Sequence, residues 1–290
     1  MAATDMDQLP LFEVPPGRAP DKSKTKELPL RPLWTENKAK LIERYLYYFV
    51  LVTKHGTYID GFAGPQRGPD NWAARLVLEN DPQRLRHFYL FDRDGRQVAA
   101  LNQLRNDHPG RDVQVFAGDF NDRVDEVLRP SVIRASEAVF CLLDQRTLEC
   151  HWSTVERIAA YKGGNHKIEI FYFLANLWLP RVLASVRGDT ARQWWGRDDW
   201  GTLTHMHGSA RAELVSRRFR EELGYASARA WAIYNHRQGR RVMYYMIHAT
   251  DHPRAPGLMS EAYQKAVQPK EPIDQLALQL GIPAAQGSGA

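Results

Sequence analysis

Between residues 57 and 173, five short apolar runs alternate with segments whose apolar residues recur at helical spacing. The runs fall at 57–62, 87–91, 113–116, 138–143 and 167–173, and helical patterns fill 72–79, 97–106, 124–129 and 154–161. A strand followed by a helix and another strand is the signature of a crossover connection, which aligns the two strands in parallel. Repeated four times, it predicts one sheet with helices on both faces. Near the end, ARAWAIYNH and RVMYYMIHAT flank RQGR, which reads as two further strands joined by a turn containing Gly239. The expected fold class is therefore α/β, a seven-stranded Rossmann-like sheet of five parallel-type strands plus a terminal hairpin. A helical insert precedes the last two strands.

Four successive strands lead to an acid. YIDGFAGPQ places Asp60 at the first tip, FYLFDRD places Asp92 at the second, VFAGDF places Asp119 at the third and FCLLD places Asp144 at the fourth. One such aspartate means little, because turns favour the residue. Four in order along one rim form a pattern, and in open α/β sheets ligands sit beyond that rim. In the first loop, Gly61 and Gly64 allow the backbone to approach a ligand closely. The spacing is not that of G-x-G-x-x-G, nor does the chain hold G-x-x-x-x-G-K-[ST]. Asp92 has the chemistry to hold a ribose diol, the part an acid plays in dinucleotide sites. Asp119, with Phe120 beside it, has the chemistry to frame an adenine.

The chain divides as follows. Residues 1–32, with six prolines and a mixed-charge DKSKTKE run, read as a flexible arm and not as a signal peptide. Residues 33–175 and 228–267 form the Rossmann-like domain, which opens with a helix from about Glu36 and a candidate cap at Thr35. Residues 176–227, rich in Trp, Arg and His, form a mainly helical inserted subdomain, with a winged helix as one form of it. Residues 268–290 form a tail in which 273–280 has a helical pattern. No apolar run approaches the length needed to span a bilayer. The two cysteines, Cys141 and Cys150, form neither a disulfide framework nor a zinc motif, which fits a reducing cytoplasm. The net charge of +5 permits a nucleic-acid partner without requiring one.

The ordered acids and the block Asp60-Gly61-Phe62-Ala63-Gly64 resemble the class I S-adenosylmethionine-dependent methyltransferases. More narrowly, Trp34-Thr35 with Lys38, YIDGFAGP, FYLFDRD, GDFND, LLDQRTLECHW and YYMIHATDH resemble the three-Cys-motif partner protein (TcmP) family of predicted methyltransferases. The resemblance implies that Asp60, Gly61, Phe62, Ala63 and Gly64 wrap the methionine part of S-adenosylmethionine. It implies that Asp92 holds the ribose, that Asp119 and Phe120 frame the adenine, and that Asp144 faces the methyl group. A separate protein with three clustered cysteines is the implied partner. The loop departs from the usual P-G continuation, running Pro65-Gln66 and then Arg67-Gly68-Pro69.

At the fourth tip the text is Asp144-Gln145-Arg146-Thr147, where amino-group methyltransferases carry D-P-P-Y. Asp144, Gln145 and Arg146 are the candidate catalytic residues, with Gln145 as a hydrogen-bond acceptor and Arg146 as a phosphate clamp. Trp152 is a candidate for stacking on a base and Cys150 for a covalent nucleophile. The expected function is a methyltransferase acting on nucleic acid or on a partner-delivered molecule. The rival is a catalytically inactive binding module working with the three-cysteine partner, and a third reading is a charge-driven nucleic-acid binder. The bland alternatives are plain turns at the aspartates, a subdomain core for Trp194, Trp195 and Trp200, and a solvated face for RAELVSRRFREEL. His205 with His207, and His248 with His252, have ligand-like spacing but no matching acid or cysteine set, so no metal is expected.

Overall fold

A computed structural model describes residues 33–65, 72–163, 167–234 and 242–267. The arm, the tail with its 273–280 pattern, Gln66 and the Arg67-Gly68-Pro69 element, and the RQGR turn lie outside the described residues. Helix α1 (Leu33–Thr53) comes first. Its Leu41, Ile42, Tyr45, Leu46 and Phe49 are all buried, as the spacing requires. The helix begins two residues before Thr35, so that residue lies inside the first turn and not at a cap.

The alternating region follows as β1 (Gly56–Asp60), α2 (Ala73–Leu78), β2 (Leu85–Asp92), α3 (Gly95–Asp107) and β3 (Asp112–Ala117). Next come α4 (Phe120–Arg123), β4 (Val139–Leu143), α5 (Trp152–Ala160) and β5 (Glu169–Leu174). The helix expected at 124–129 is instead the short α4 running into a 3-10 turn at Val124–Glu126. Asp119 causes the shift, because its carboxylate accepts the Asn121 amide and starts the helix upstream. Residues 176–227 contain α6 (Leu179–Ser185), α7 (Gly188–Trp195), a 3-10 segment (Asp198–Thr204) and α8 (Gly208–Glu221), with no strand before β6. The chain ends its described part with β6 (Ser227–Tyr234), β7 (Val242–Thr250) and α9 (Ala255–Val267). Helix α9 was not anticipated from the sequence.

The seven strands form one sheet in the order β3-β2-β1-β4-β5-β7-β6. The first five are parallel, and β7 runs antiparallel between β5 and β6. Every residue of β1, β4 and β5 is buried, as expected where both faces of a parallel sheet are covered. One face packs Tyr58, Phe88, Phe140 and Phe171 against α1, α2, α3 and α9. The other packs Ile59, Cys141, Ile170 and Tyr172 against α5, and against Leu183, Trp194, Val215 and Phe219 of the segment between β5 and β6. That segment thus shares the sheet's own core. The chain moves outward from β1 to β3, then returns to the other side of β1 for β4, so strand order reverses between β1 and β4. A crevice at the carboxyl ends of these two strands is the topological consequence.

Candidate functional site at the strand tips

The loop after β1 is bonded to the tips of its neighbours. Gly61 N–H donates to the Leu142 carbonyl at 3.0 Å, and Ala63 N–H donates to the Phe91 carbonyl at 2.8 Å. The Ala63 carbonyl accepts the Trp72 indole N–H at 2.6 Å. Gly64 N–H then donates to Asp92 Oδ2 at 3.0 Å, while Asp94 N–H donates to Asp92 Oδ1 at 2.9 Å. A Cβ at Gly64 would lie 2.4 Å from Asp92 Oδ2 and 2.6 Å from Gln97 Cβ, so only glycine lets the loop come this close. At Gly61 a Cβ would meet the Phe120 ring at 2.8 Å.

Over this rim lies an open hollow of about 160 Å3. Gly61, Phe62 and Gly64 border it from the first loop, and Asp92, Arg93 and Asp94 from the second. Gly118, Asp119 and Phe120 border it after β3, and Asp144, Arg146 and Glu149 after β4. The fold therefore gathers most of the expected site residues around one concavity. Asp60, Ala63 and Gln145 do not border it, and each is almost fully buried.

Asp60 lies beneath the loop. Its Oδ1 accepts the Phe62 amide at 3.1 Å and its Oδ2 accepts the Tyr58 hydroxyl at 2.9 Å. Burial pushes its carboxyl up to about 7, and the nearby Asp144 and Asp92 charges add to the shift against the two hydrogen bonds. Asp119 caps α4, and its Oδ1 also accepts the Asn121 side-chain amide at 2.7 Å. Phe120 touches the hollow, but it is only 2% exposed and packs edge-on against Phe91 at 4.9 Å. Most of its ring is core, which corrects the expectation of a free stacking face.

At the fourth tip, Asp144 is paired with a residue to which the sequence reading gave no role. Lys38 Nζ lies 2.8 Å from Oδ1 and 2.6 Å from Oδ2, and both side chains are buried. The ammonium also sits 5.1 Å from the centre of the Phe173 ring. Gln145 turns inward: its amide donates to the Phe173 carbonyl at 3.3 Å and its oxygen accepts the Cys150 amide at 3.0 Å. It shapes the loop and is not presented to a ligand, which corrects its expected part as an acceptor. Arg146 is exposed on the rim. Glu149 Oε2 accepts the amides of Arg146 and Thr147 at 2.6 and 3.0 Å, closing the turn.

Two other expectations are corrected by burial. Trp152 is 2% exposed and lies under the Arg218 guanidinium, 3.8 Å from its ring centre, so it has no face for a base. Cys150 is fully buried, and burial pushes its thiol well up, which removes the thiolate a covalent nucleophile requires. Trp194 and Trp195 are core residues. Among the described residues, no three metal-ligating side chains converge. None of the described helices is long and apolar enough to cross a membrane.

Asn121 was missed as well. Its Nδ2 donates to Asp119 and to the Glu149 carbonyl, both at 2.7 Å, and its Oδ1 accepts from His151 N–H and the Thr154 hydroxyl, both at 2.8 Å. One buried amide thus ties the loop after β3 to the loop after β4. Its partners after β4 are about thirty residues away, so no local pattern announces it. Lys38 did carry a signal: it falls three and four residues before Leu41 and Ile42, inside the apolar stripe of α1. A lysine in such a stripe requires a buried partner.

No known family model matches the chain. No curated protein matches it either. Among solved structures, TYW2 of M. jannaschii in complex with AdoMet is 11% identical with a TM-score of 0.41, covering 77% of each chain. An rRNA methylase from Streptococcus thermophilus is 8% identical with a TM-score of 0.41, covering 77% of this chain and 98% of that one. The N-methyltransferase NodS from Bradyrhizobium japonicum is 9% identical with a TM-score of 0.35, covering 73% and 94%.

Proposed function

We propose that the hollow at the strand tips binds S-adenosylmethionine and that the protein is an S-adenosylmethionine-dependent methyltransferase. The observation that carries the reading is the set of carboxylate acceptors at the rim. Asp92, Asp94, Asp119 and Glu149 border the hollow, against Arg93 and Arg146, and Asp144 borders it with its charge met by Lys38. Such a rim favours a cation and disfavours a pyrophosphate, which separates a sulfonium nucleoside from a dinucleotide. A carboxylate has about four lone-pair positions. Backbone amides take one on each oxygen of Asp92, which leaves acceptor capacity for the two hydroxyls of a ribose. Asp119 uses only Oδ1 for its bonds to Asn121.

When bound, the cofactor supplies an electrophilic methyl group on sulfur. The chain's own residues position and screen. The Gly61–Gly64 loop fixes the approach of the backbone, Asp92 orients the ribose, and Asp119 faces the base. Asp144, held by Lys38, fixes the wall where an acceptor would stand, and Arg146 offers a rim cation to a phosphate-bearing substrate. A nucleic acid, or a molecule delivered by a three-cysteine partner, is the substrate class we assign, in keeping with the TcmP resemblance.

Calorimetry with S-adenosylmethionine and S-adenosylhomocysteine tests the binding step. Saturable binding is expected, with Asp92→Ala at least about tenfold weaker because two ligand hydrogen bonds are lost. No binding by the wild type at millimolar ligand overturns the reading. One observation favours an inactive binding module instead: both Asp144 oxygens already face an ammonium, and the two prolines and aromatic of D-P-P-Y are absent. Radiolabelled methyl transfer to RNA, DNA and protein fractions, with and without the three-cysteine partner, decides between the two.

A further inference from the structure

Asn121, inside the short helix α4, is buried with every hydrogen-bonding position of its side chain filled. Nδ2 donates to Asp119 Oδ1 and to the Glu149 carbonyl, and Oδ1 accepts from His151 N–H and the Thr154 hydroxyl. A primary amide has two donors and two acceptor positions, and here each meets its opposite. The cage is polarised, with oxygens that only accept on one side and donors on the other. An aspartate here turns an oxygen toward two acceptors, and a leucine offers nothing to either side. Among side chains of this size, a carboxamide alone satisfies the cage.

The cage acts on the acid beside it. Asp119 Oδ1 accepts from the Asn121 backbone amide at 2.8 Å and from Nδ2 at 2.7 Å. The torsion that turns a carboxylate is soft, so one donor places the group and a second on the same oxygen fixes its plane. Oδ2 takes no hydrogen bond among the described residues, and Asp119 borders the cofactor hollow. The bond from Nδ2 to the Glu149 carbonyl anchors the same turn to the loop after β4. That loop is itself closed, because the Glu149 carboxylate accepts the Arg146 and Thr147 amides.

We propose that Asn121 is a positioning residue that gives the hollow its selectivity for an aminopurine, acting through Asp119, whose Oδ2 it holds toward the exocyclic amine of the cofactor's adenine. An amine donates to a carboxylate, whereas an oxo group at the same place turns lone pairs toward it and is repelled. Without Nδ2 the carboxylate keeps one bond and is free to turn, so the two purines are received more nearly alike. The inference rests on the cofactor reading. It does not depend on turnover, and holds equally for an enzyme and for an inactive binding module.

The test is calorimetric titration of the full chain with S-adenosylhomocysteine and S-inosylhomocysteine, which carries an oxo group where adenine carries its amine. The wild type is expected to bind the adenosyl compound at least about tenfold more tightly, the scale of one hydrogen bond to a charged group. In Asn121→Ala and in Asn121→Leu the preference is expected to fall below about threefold, with melting temperatures confirming that each variant folds. The bonds from the Asn121 amide to Asp119 and from Arg157 to the Asn121 carbonyl are made by backbone atoms of Asn121 and survive both substitutions. Thr154→Val removes a donor from the far side of the cage and leaves both Nδ2 bonds, so it is expected to lower stability and keep the full preference. Asp119→Ala is expected to lose the preference, and Asn121→Ala added to it is expected to change the ratio by less than about twofold, because both act through one contact. A wild type that binds neither compound overturns the cofactor reading and this inference with it. A wild type that binds both equally, an Asn121 variant that keeps the preference, or a Thr154→Val variant that loses it overturns this inference and leaves the cofactor reading standing.

Discussion

Lys38 Nζ lies within 2.8 Å of both carboxylate oxygens of Asp144, a residue 106 positions further along the chain. The pair joins the helix that precedes the sheet to the tip of β4, on the wall of the candidate site. Removing one partner of a buried ion pair leaves the other charge uncompensated, which costs about 3–5 kcal/mol. Lys38→Met is expected to destabilise the protein by that order in urea denaturation. The double variant with Asp144→Asn is expected to recover most of the loss. Additive losses in the double-mutant cycle would show that the pair is not coupled.

Asp60 makes stability depend on pH in an unusual direction. Its folded carboxyl titrates at about 7, above the ordinary 3.8. Between those values the unfolded chain releases the proton while the folded chain keeps it. Fewer protons on the unfolded state mean that stability falls as pH rises through this window, then levels above 7. A shift of about 3 units corresponds to about 4 kcal/mol. Asp60→Asn removes the titration, so its stability relative to wild type is expected to rise between pH 4 and pH 8. Parallel stability curves for the two proteins would refute the assignment.

Two glycines near the second tip are expected to respond oppositely to alanine. Gly64→Ala forces a methyl group against Asp92 and Gln97, with a cost of about 1–3 kcal/mol and at least a tenfold loss of cofactor affinity by calorimetry. Gly95, at the start of α3, has open space around its Cβ position. Gly95→Ala is expected to be neutral or to stabilise by up to about 1 kcal/mol, because helical alanine loses less backbone entropy. Equal responses at both positions would remove the steric argument.

Neither cysteine is exposed, and burial pushes both thiols up. The native protein is therefore expected to release no colour from an aromatic disulfide reagent over minutes, while both thiols react in denaturant. Rapid native reaction of one thiol would reopen the covalent reading of Cys150.

The sequence exposed the architecture because its signals were local. Apolar runs such as VFCLL and EIFYFL, separated by helical patterns, require a doubly covered parallel sheet, and each strand tip could be read from the first acid after the run. What stayed hidden depends on long-range pairing. The direction taken by Gln145 is set by Phe173 and Cys150, and the burial of Trp152 by Arg218 on a distant helix. Phe120 looked like a ring beside an acid, but the lack of a side chain at Gly61 lets it pack beneath the loop. Helix α9 escaped notice because its apolar positions complete a layer whose other members come from α1 and β6.

Helix α1 is one unbroken element of 21 residues. Its Lys38 holds Asp144 at the carboxyl end of β4, and its Tyr45 hydroxyl donates to Glu169 at the start of β5. A helix of that length spans about 30 Å at 1.5 Å per residue. The lysine that meets Asp144 is therefore carried by an element whose Leu41, Ile42, Tyr45 and Leu46 are fixed in the core, and not by a loop.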